Sequence, residues 1–193
     1  MATDPNDYDL AYDFGTELYD HLYPKDTAKT PKGDLSSLEG KMIQAFEKAA
    51  TIKENKGMPY AIIGNHFIKK SEMVNDAIRG IGDQIRALNK NAKPDKNGKL
   101  PPAPKELLTK RDELYKQYDV LIGQSATYFE KAADRFSNNS QLDNLEKSFY
   151  RNSINNLIEI YGLKKANAKG NAAEVAKYTA AEKKWKEAYS KLQ

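Results

Sequence analysis

The chain offers little to a metal ion or a catalytic cycle. Histidine is the commonest metal ligand and acid–base group, but only His21 and His66 occur, and neither has a metal-binding spacing such as His-Glu-x-x-His. The absence of cysteine excludes disulfides and thiolate metal ligands. We therefore predict that both histidines are surface or helix-packing residues and that the protein uses no metal and no cofactor.

Two segments partly match ligand-binding loops. An EF-hand calcium loop beginning at Asp4 requires glycine at its sixth position and glutamate at its twelfth, where this chain has Asp9 and Gly15. Residues 80–82 (Gly-Ile-Gly) lack the third glycine and the preceding strand of a dinucleotide-binding loop. Because no nucleophile–base constellation can be identified either, the sequence predicts that the protein is not an enzyme.

Tyrosines concentrate near the start of the chain, at Tyr8, Tyr12, Tyr19 and Tyr23. Tyrosine has an apolar ring and a polar tip, so it suits a partner surface as well as the edge of a packed core. Both interpretations remain open, and packing is the more common outcome.

The formal net charge of +4 conceals an asymmetry. Residues 1–40 have nine acidic and three basic side chains, which leaves 28 basic and 18 acidic side chains in residues 41–193. The later charges are interleaved, as in Glu182-Lys183-Lys184, which favours solvated helix faces over a phosphate-binding surface. A helical bundle that binds a polyanion such as nucleic acid through residues 41–193 is the alternative hypothesis.

No apolar run approaches the roughly 18 residues that a membrane-spanning helix needs, so we predict no transmembrane segment. The first 20 residues are acidic where a signal peptide is basic and then apolar. If a signal was removed earlier, we expect an exported protein of the periplasm or cell envelope, and otherwise a cytoplasmic one.

The apolar periodicity predicts an all-α fold, beginning with a helix over residues 7–23. Its apolar stripe would consist of Leu10, Phe14, Leu18 and Leu22. An insertion at 24–35 follows, and a capping box from Ser36 to Glu39 would open a second helix that ends near residue 52. Residues 59–88 form one helix or two, with Met73, Ala77, Ile81 and Ile85 in register.

The second half follows the same logic. The four prolines of residues 89–104 predict a second insertion, and residues 105–136 predict a long helix. Ser140 and Asp143 match another capping box, which would start a helix that runs through Tyr161. The last helix is expected over 172–192, so that residues 1–193 form a single helical domain.

One pattern recurs three times: an aromatic residue four positions after a variable residue and three before alanine. It consists of Met42, Phe46, Ala49; Ser125, Phe129, Ala132; and Ala181, Trp185, Ala188. Such a ring can lie on the backbone of a neighbouring helix, which is how antiparallel helix pairs stack into arrays.

These positions resemble the second helix of the tetratricopeptide repeat (TPR) family, and the phrase Tyr128-Phe129-Glu130-Lys131-Ala132 resembles diverged Bacteroidetes members. Matching first helices contain Ala11, Phe14-Gly15, Leu18; Tyr60, Ile63-Gly64, Phe67; and Ile154, Leu157-Ile158, Tyr161. The resemblance implies a TPR-like α-solenoid of about three irregular repeats, whose glycines let the paired helix come close. A generic irregular helical bundle is the structural alternative.

The resemblance also implies a function, that of a protein-protein interaction scaffold with a concave groove for a peptide or a partner's helix. In the family, first-helix positions that do not pack line this groove. The corresponding residues here are Tyr12, Thr16, Tyr19, Asn65, Lys69, Asn155 and Glu159. Their polar or amphipathic character suits a wet, modestly selective groove.

Overall fold

The computed structural model describes residues 6–26, 31–94, 96–98 and 100–192. Within these residues the chain forms helices and no strand, which confirms the all-α prediction. The helices are α1 (Tyr8–Leu22), α2 (Leu35–Ile52), α3 (Met58–Asn91), α4 (Lys105–Ser137), α5 (Asn144–Asn167) and α6 (Ala172–Ser190). Residues 58–91 are therefore one continuous helix, which resolves the choice that the sequence left open.

The chain contacts divide the protein into two compact units. The first comprises Met1–His66 and Ser125–Gln193, and the second comprises Phe67–Gln124. Helices α3 and α4 contribute residues to both units. The second unit buries Val74, Ile78 and Ile81 of α3. The predicted register of α3 is wrong at Met73 and Ala77, which are exposed, but right at Ile81.

Both predicted capping boxes are displaced. Asp34, not Ser36, caps α2, since its carboxylate accepts a hydrogen bond from the Ser37 amide at 3.2 Å. The Glu39 carboxylate cannot serve as the reciprocal cap because it contacts the His66 imidazole instead. A short carboxylate at the true start of the helix thus replaces the predicted serine.

Helix α5 starts with a capping box three residues later than predicted. The Asp143 carboxylate accepts from the Glu146 amide at 2.8 Å, while the Glu146 carboxylate accepts from the Asp143 amide at 3.2 Å. The helix then continues to Asn167 rather than ending at Tyr161. A single glycine such as Gly162 costs a helix only about 1 kcal/mol, which is too little to end one.

Two antiparallel helix pairs of the first unit approach closely at glycines. A Cβ atom on Gly15 of α1 would lie 2.9 Å from the Phe46 ring of α2, and one on Gly64 of α3 would lie 2.8 Å from the Phe129 ring of α4. The Ser125 hydroxyl also donates to the Gly64 carbonyl at 3.0 Å. The predicted contact between ring and backbone is therefore confirmed at both glycines.

The third helix pair consists of α5 and α6. Trp185 of α6 is buried, the Tyr161 and Tyr178 rings lie 6.2 Å apart, and the Arg151 side chain donates to the Leu192 carbonyl. These contacts run in opposite directions along the two helices, so the pair is antiparallel. Whether the three pairs form a repeat array, and whether residues 1–193 form one domain, stay predictions.

The inward side of α1 is not the predicted one. Leu10 and Phe14 are each 47% exposed, whereas Ala11 and Gly15 are buried. The reason is the close approach of α2, since only small side chains fit between two helices at the distance that the Phe46 ring imposes.

Replacing Gly64 with alanine should destabilise the protein by about 1–3 kcal/mol, because the new methyl group collides with the Phe129 ring in a packed core. Gly40→Ala in α2 is the matched control. A methyl group there meets nothing within 4 Å, so helix propensity should raise stability by about 0.5–1 kcal/mol. Urea unfolding of both variants measures this, and equal effects would contradict the packing contact.

Candidate functional site

A groove of about 320 Å³ lies among the first helices of the three pairs in the first unit. It is lined by Tyr12, Thr16 and Tyr19 of α1, Phe46 of α2, Met58, Ile62 and Asn65 of α3, and Leu145 and Phe149 of α5. Below, "the inner groove" denotes this set. Four helices thus contribute to one depression, whose shape depends on how the pairs pack.

The wall from α1 presents one face of that helix. Tyr12, Thr16 and Tyr19 are spaced by four and three residues, which places them on the same side of a helix. The Tyr12 ring meets Phe46 edge to face at 5.7 Å between centroids, and the Tyr19 ring lies 5.0 Å from that of Tyr23. These contacts hold both tyrosines in place, so the wall is preorganised.

The rest of the lining is largely apolar. Phe46 is fully buried beneath the groove, Ile62 is buried, and Phe149 is half-buried. Leu145 is 57% exposed, so an apolar side chain at the border of the depression is open to solvent. The Thr16 hydroxyl donates to the Tyr12 carbonyl at 2.9 Å and so is already used within α1. The inner groove can therefore take an apolar side chain.

The charge beside the inner groove is negative. Helix α1 has Asp9, Asp13, Glu17 and Asp20 but no lysine or arginine. Burial, and next the neighbouring Asp13, raise the pKa of Tyr12 above its usual value, and burial and then Asp20 do the same for the pKa of Tyr19. Both phenols consequently stay protonated and uncharged at neutral pH. The carboxylates of Asp13 and Asp20 beside them favour a positively charged group here.

The predicted site residues separate into two sets. Tyr12, Thr16, Tyr19 and Asn65 come together in the inner groove. Lys69 belongs to the second unit, while Asn155 and Glu159 lie further along α5 and do not line the groove. Whether any of these residues binds a partner stays a prediction.

Helix α5 contributes earlier turns than the resemblance implies. The groove residues of α5 are Leu145 and Phe149, in its first two turns, rather than the predicted positions near Ile158. Sequence reasoning missed both, and also Met58 and Ile62 of α3. The available signal was an apolar pair spaced by four residues directly after the Asp143 cap.

The two histidines have structural contacts. The His66 imidazole, 1% exposed, shares hydrogen bonds with the Tyr23 hydroxyl at 2.8 Å and the Glu39 carboxylate at 3.0 Å. It thereby joins α1, α2 and α3. The exposed His21 ring contacts the Lys32 carbonyl at 2.9 Å. Among the described residues, no group of His, Asp or Glu side chains has an arrangement that could hold a metal ion.

Two further findings do not concern the inner groove. In the part of the chain that the structure describes, no helix combines the length and apolar character needed to cross a membrane. Comparison with family models, curated proteins and solved structures finds no match for this chain. The geometry of the described residues is therefore the basis for the functional proposal.

The tyrosines of the inner groove should titrate later in the folded protein than in the unfolded chain, where the pKa is about 10. Because folding raises the pKa of Tyr12 and Tyr19, their contribution to stability is complete below pH of about 10 and is lost as the pH rises through the folded-state pKa. The difference in tyrosinate absorbance between the wild type and Tyr12→Phe/Tyr19→Phe, followed during alkaline titration with and without urea, separates these two phenols from the other tyrosines whose pKa burial raises. Coincident titration curves in the two conditions would contradict the burial of these phenols.

Proposed function

We propose that the protein is a non-enzymatic interaction scaffold whose inner groove holds a short apolar segment of a partner protein. The observation that carries this proposal is the convergence of Tyr12, Tyr19, Ile62, Leu145 and Phe149 from three helices on one open depression. Aromatic and aliphatic residues around a pocket are the usual anchors of protein interfaces. The TPR resemblance supports the same proposal, because the family binds peptides with its first helices.

The size and charge of the inner groove narrow the partner. Its volume is at the small end of the roughly 300–1,000 Å³ typical of ligand pockets, so it suits one or two apolar side chains of a peptide or a helix edge. Since Asp13 and Asp20 adjoin the tyrosines, a lysine or arginine beside the apolar anchor would complement the groove. We therefore propose a basic segment with an apolar anchor.

Two observations support a binding role over catalysis. The most reactive candidate, the His66 imidazole, is buried and bonded on both ring nitrogens, which leaves no access for a substrate. The groove itself contains tyrosine, threonine and asparagine but no acid–base pair.

The polyanion hypothesis receives less support. Part of the basic charge is already paired with carboxylates, since Lys56 pairs with the buried Glu146, and Lys165 and Lys186 pair with Glu182. A surface that binds phosphates needs unpaired cations grouped together. The acidic α1 wall of the inner groove would repel such a ligand.

Peptides selected from a random display library on the wild-type protein should bind about tenfold more weakly to Tyr19→Ala, because a large ring would be lost from the groove wall. Asn65→Ala should also weaken binding, by a smaller factor. Fluorescence anisotropy with labelled peptides gives the dissociation constants. Selected sequences should contain an apolar residue next to lysine or arginine.

The control variant is Tyr115→Ala. Tyr115 lies on α4 in the second unit, is 49% exposed and does not line the groove, so its removal deletes the same kind of side chain and leaves the groove lining unchanged. Equal losses of affinity in the two tyrosine variants, or selected peptides without basic residues, would argue against the inner groove as the site.

A further inference from the structure

The side of α1 opposite the inner groove has a second depression, of about 430 Å³, between α1 and α2. It is lined by Asp7, Leu10, Ala11 and Phe14 of α1 and by Lys41, Gln44, Ala45 and Lys48 of α2. Below, "the outer surface" denotes this set. It shares no residue with the inner groove, since Leu10 precedes Tyr12 by two positions, which is about 200° around a helix.

The centre of the outer surface is apolar and shaped to receive a side chain. Leu10 and Phe14 stand one helical turn apart and are each 47% exposed, so much of both side chains contacts water. Between the two helices lie Ala11 and Ala45, whose small side chains leave the depression open. Two large exposed apolar side chains beside a cleft are typical of a docking site for a helix.

The α2 edge of the outer surface is basic, whereas its α1 edge has one carboxylate, Asp7. Lys41 and Lys48 are exposed on one face of α2. They are seven positions apart, which corresponds to a rise of about 10.5 Å along the helix. Neither ammonium group forms an ion pair with any other described residue. The Asp7 carboxylate caps α1 by accepting from the Leu10 amide at 3.1 Å, so part of its charge is already compensated by the helix terminus.

We propose that the outer surface docks an acidic amphipathic helix of another protein. Two carboxylates spaced seven residues apart would meet Lys41 and Lys48, and the apolar residues three and four positions after the first carboxylate would contact Leu10 and Phe14. This spacing keeps all four side chains on one helix face. The partner thus complements both the charge and the periodicity of α2.

Charge also selects this partner over a second copy of the chain. In a twofold dimer through the outer surface, four lysines would face only two aspartates, Asp7 of each copy, which already cap α1, so the excess positive charge would oppose association. A single carboxylate on an acyl chain would pair with only one of the two lysines. A helix with two carboxylates at the matching spacing pairs with both.

The test uses two designed helical peptides of equal length. Each peptide has two charged residues seven positions apart and two leucines, three and four positions after the first charged residue. The charged residues are glutamates in one peptide and lysines in the other. Fluorescence anisotropy should show the glutamate peptide binding wild-type protein and the lysine peptide binding more weakly. The variant Lys41→Glu/Lys48→Glu should bind the glutamate peptide at least about fivefold more weakly than the wild type does, and it should bind the lysine peptide more tightly than the glutamate peptide.

The charge control is Lys110→Glu/Lys116→Glu, at exposed positions of α4 in the second unit. Each Lys→Glu change replaces +1 with −1, so both double variants lower the net charge of +4 to 0. Only the α2 variant should lose binding of the glutamate peptide. Leu10→Gln/Phe14→Gln should lose it too, with an unchanged circular dichroism spectrum, because both side chains are already exposed.

Three results would overturn the proposal. The first is no binding of the glutamate peptide, or equal loss of binding in both charge variants. The second is self-association of the wild type that Leu10→Gln/Phe14→Gln abolishes, which would assign the surface to a second copy. The third is that Tyr19→Ala no longer binds the glutamate peptide, which would place that peptide in the inner groove. Retained binding in Tyr19→Ala separates this proposal from the proposed function.

Discussion

The contact between an aromatic ring and a glycine backbone sets the spacing within two helix pairs of the first unit. Phe46 lies against Gly15 and Phe129 lies against Gly64, so closely that a Cβ atom on either glycine would be within 2.9 Å of the ring. At this spacing only a residue without a side chain fits beneath the ring, and protein interiors are packed closely enough to leave few gaps there. The positions of the neighbouring helix faces follow from these two contacts.

The inner groove is one consequence. Because Gly15 brings α1 onto Phe46, Tyr12 meets the edge of that ring, and the Tyr12 face of α1 opens toward α3 and α5. The same rotation turns Leu10 and Phe14 to the opposite side of α1, beside Lys41 and Lys48 of α2. Helix α1 therefore borders both depressions. Acidic side chains of α1 adjoin the inner groove, two lysines of α2 border the outer surface, and the contact between Gly15 and Phe46 orients α1 toward both.

Buried polar groups reinforce this arrangement. His66 ties the end of α1 to α2 and α3, and Glu146 both caps α5 and pairs with Lys56 at 2.7 Å. Each of these side chains meets partners from distant parts of the sequence. Removing one partner of a buried charge costs more than an exposed pair is worth, so such contacts specify which helices pack together.

The sequence by itself determined the helices and their close contacts. Prolines and apolar periodicity located the helices of the described residues to within a few positions, because these signals act within a few residues of chain. The exceptions are the end of α5 and the choice between one helix and two over residues 59–88. The Phe46 and Phe129 contacts were also predictable, since the pattern of aromatic and small residues repeats. Four residues of the inner groove, Tyr12, Thr16, Tyr19 and Asn65, were named from the TPR resemblance rather than from these local patterns.

Only the tertiary structure decided which face of each helix is turned inward and where α5 crosses the groove. Leu10 and Phe14 satisfy the helical period as well as Ala11 and Gly15 do, and the choice depends on how close α2 lies. Leu145 and Phe149 enter the inner groove, while Asn155 and Glu159 do not, because α5 begins at Asn144 and meets the other helices with its first turns. Such outcomes depend on contacts between distant segments, which no local pattern encodes.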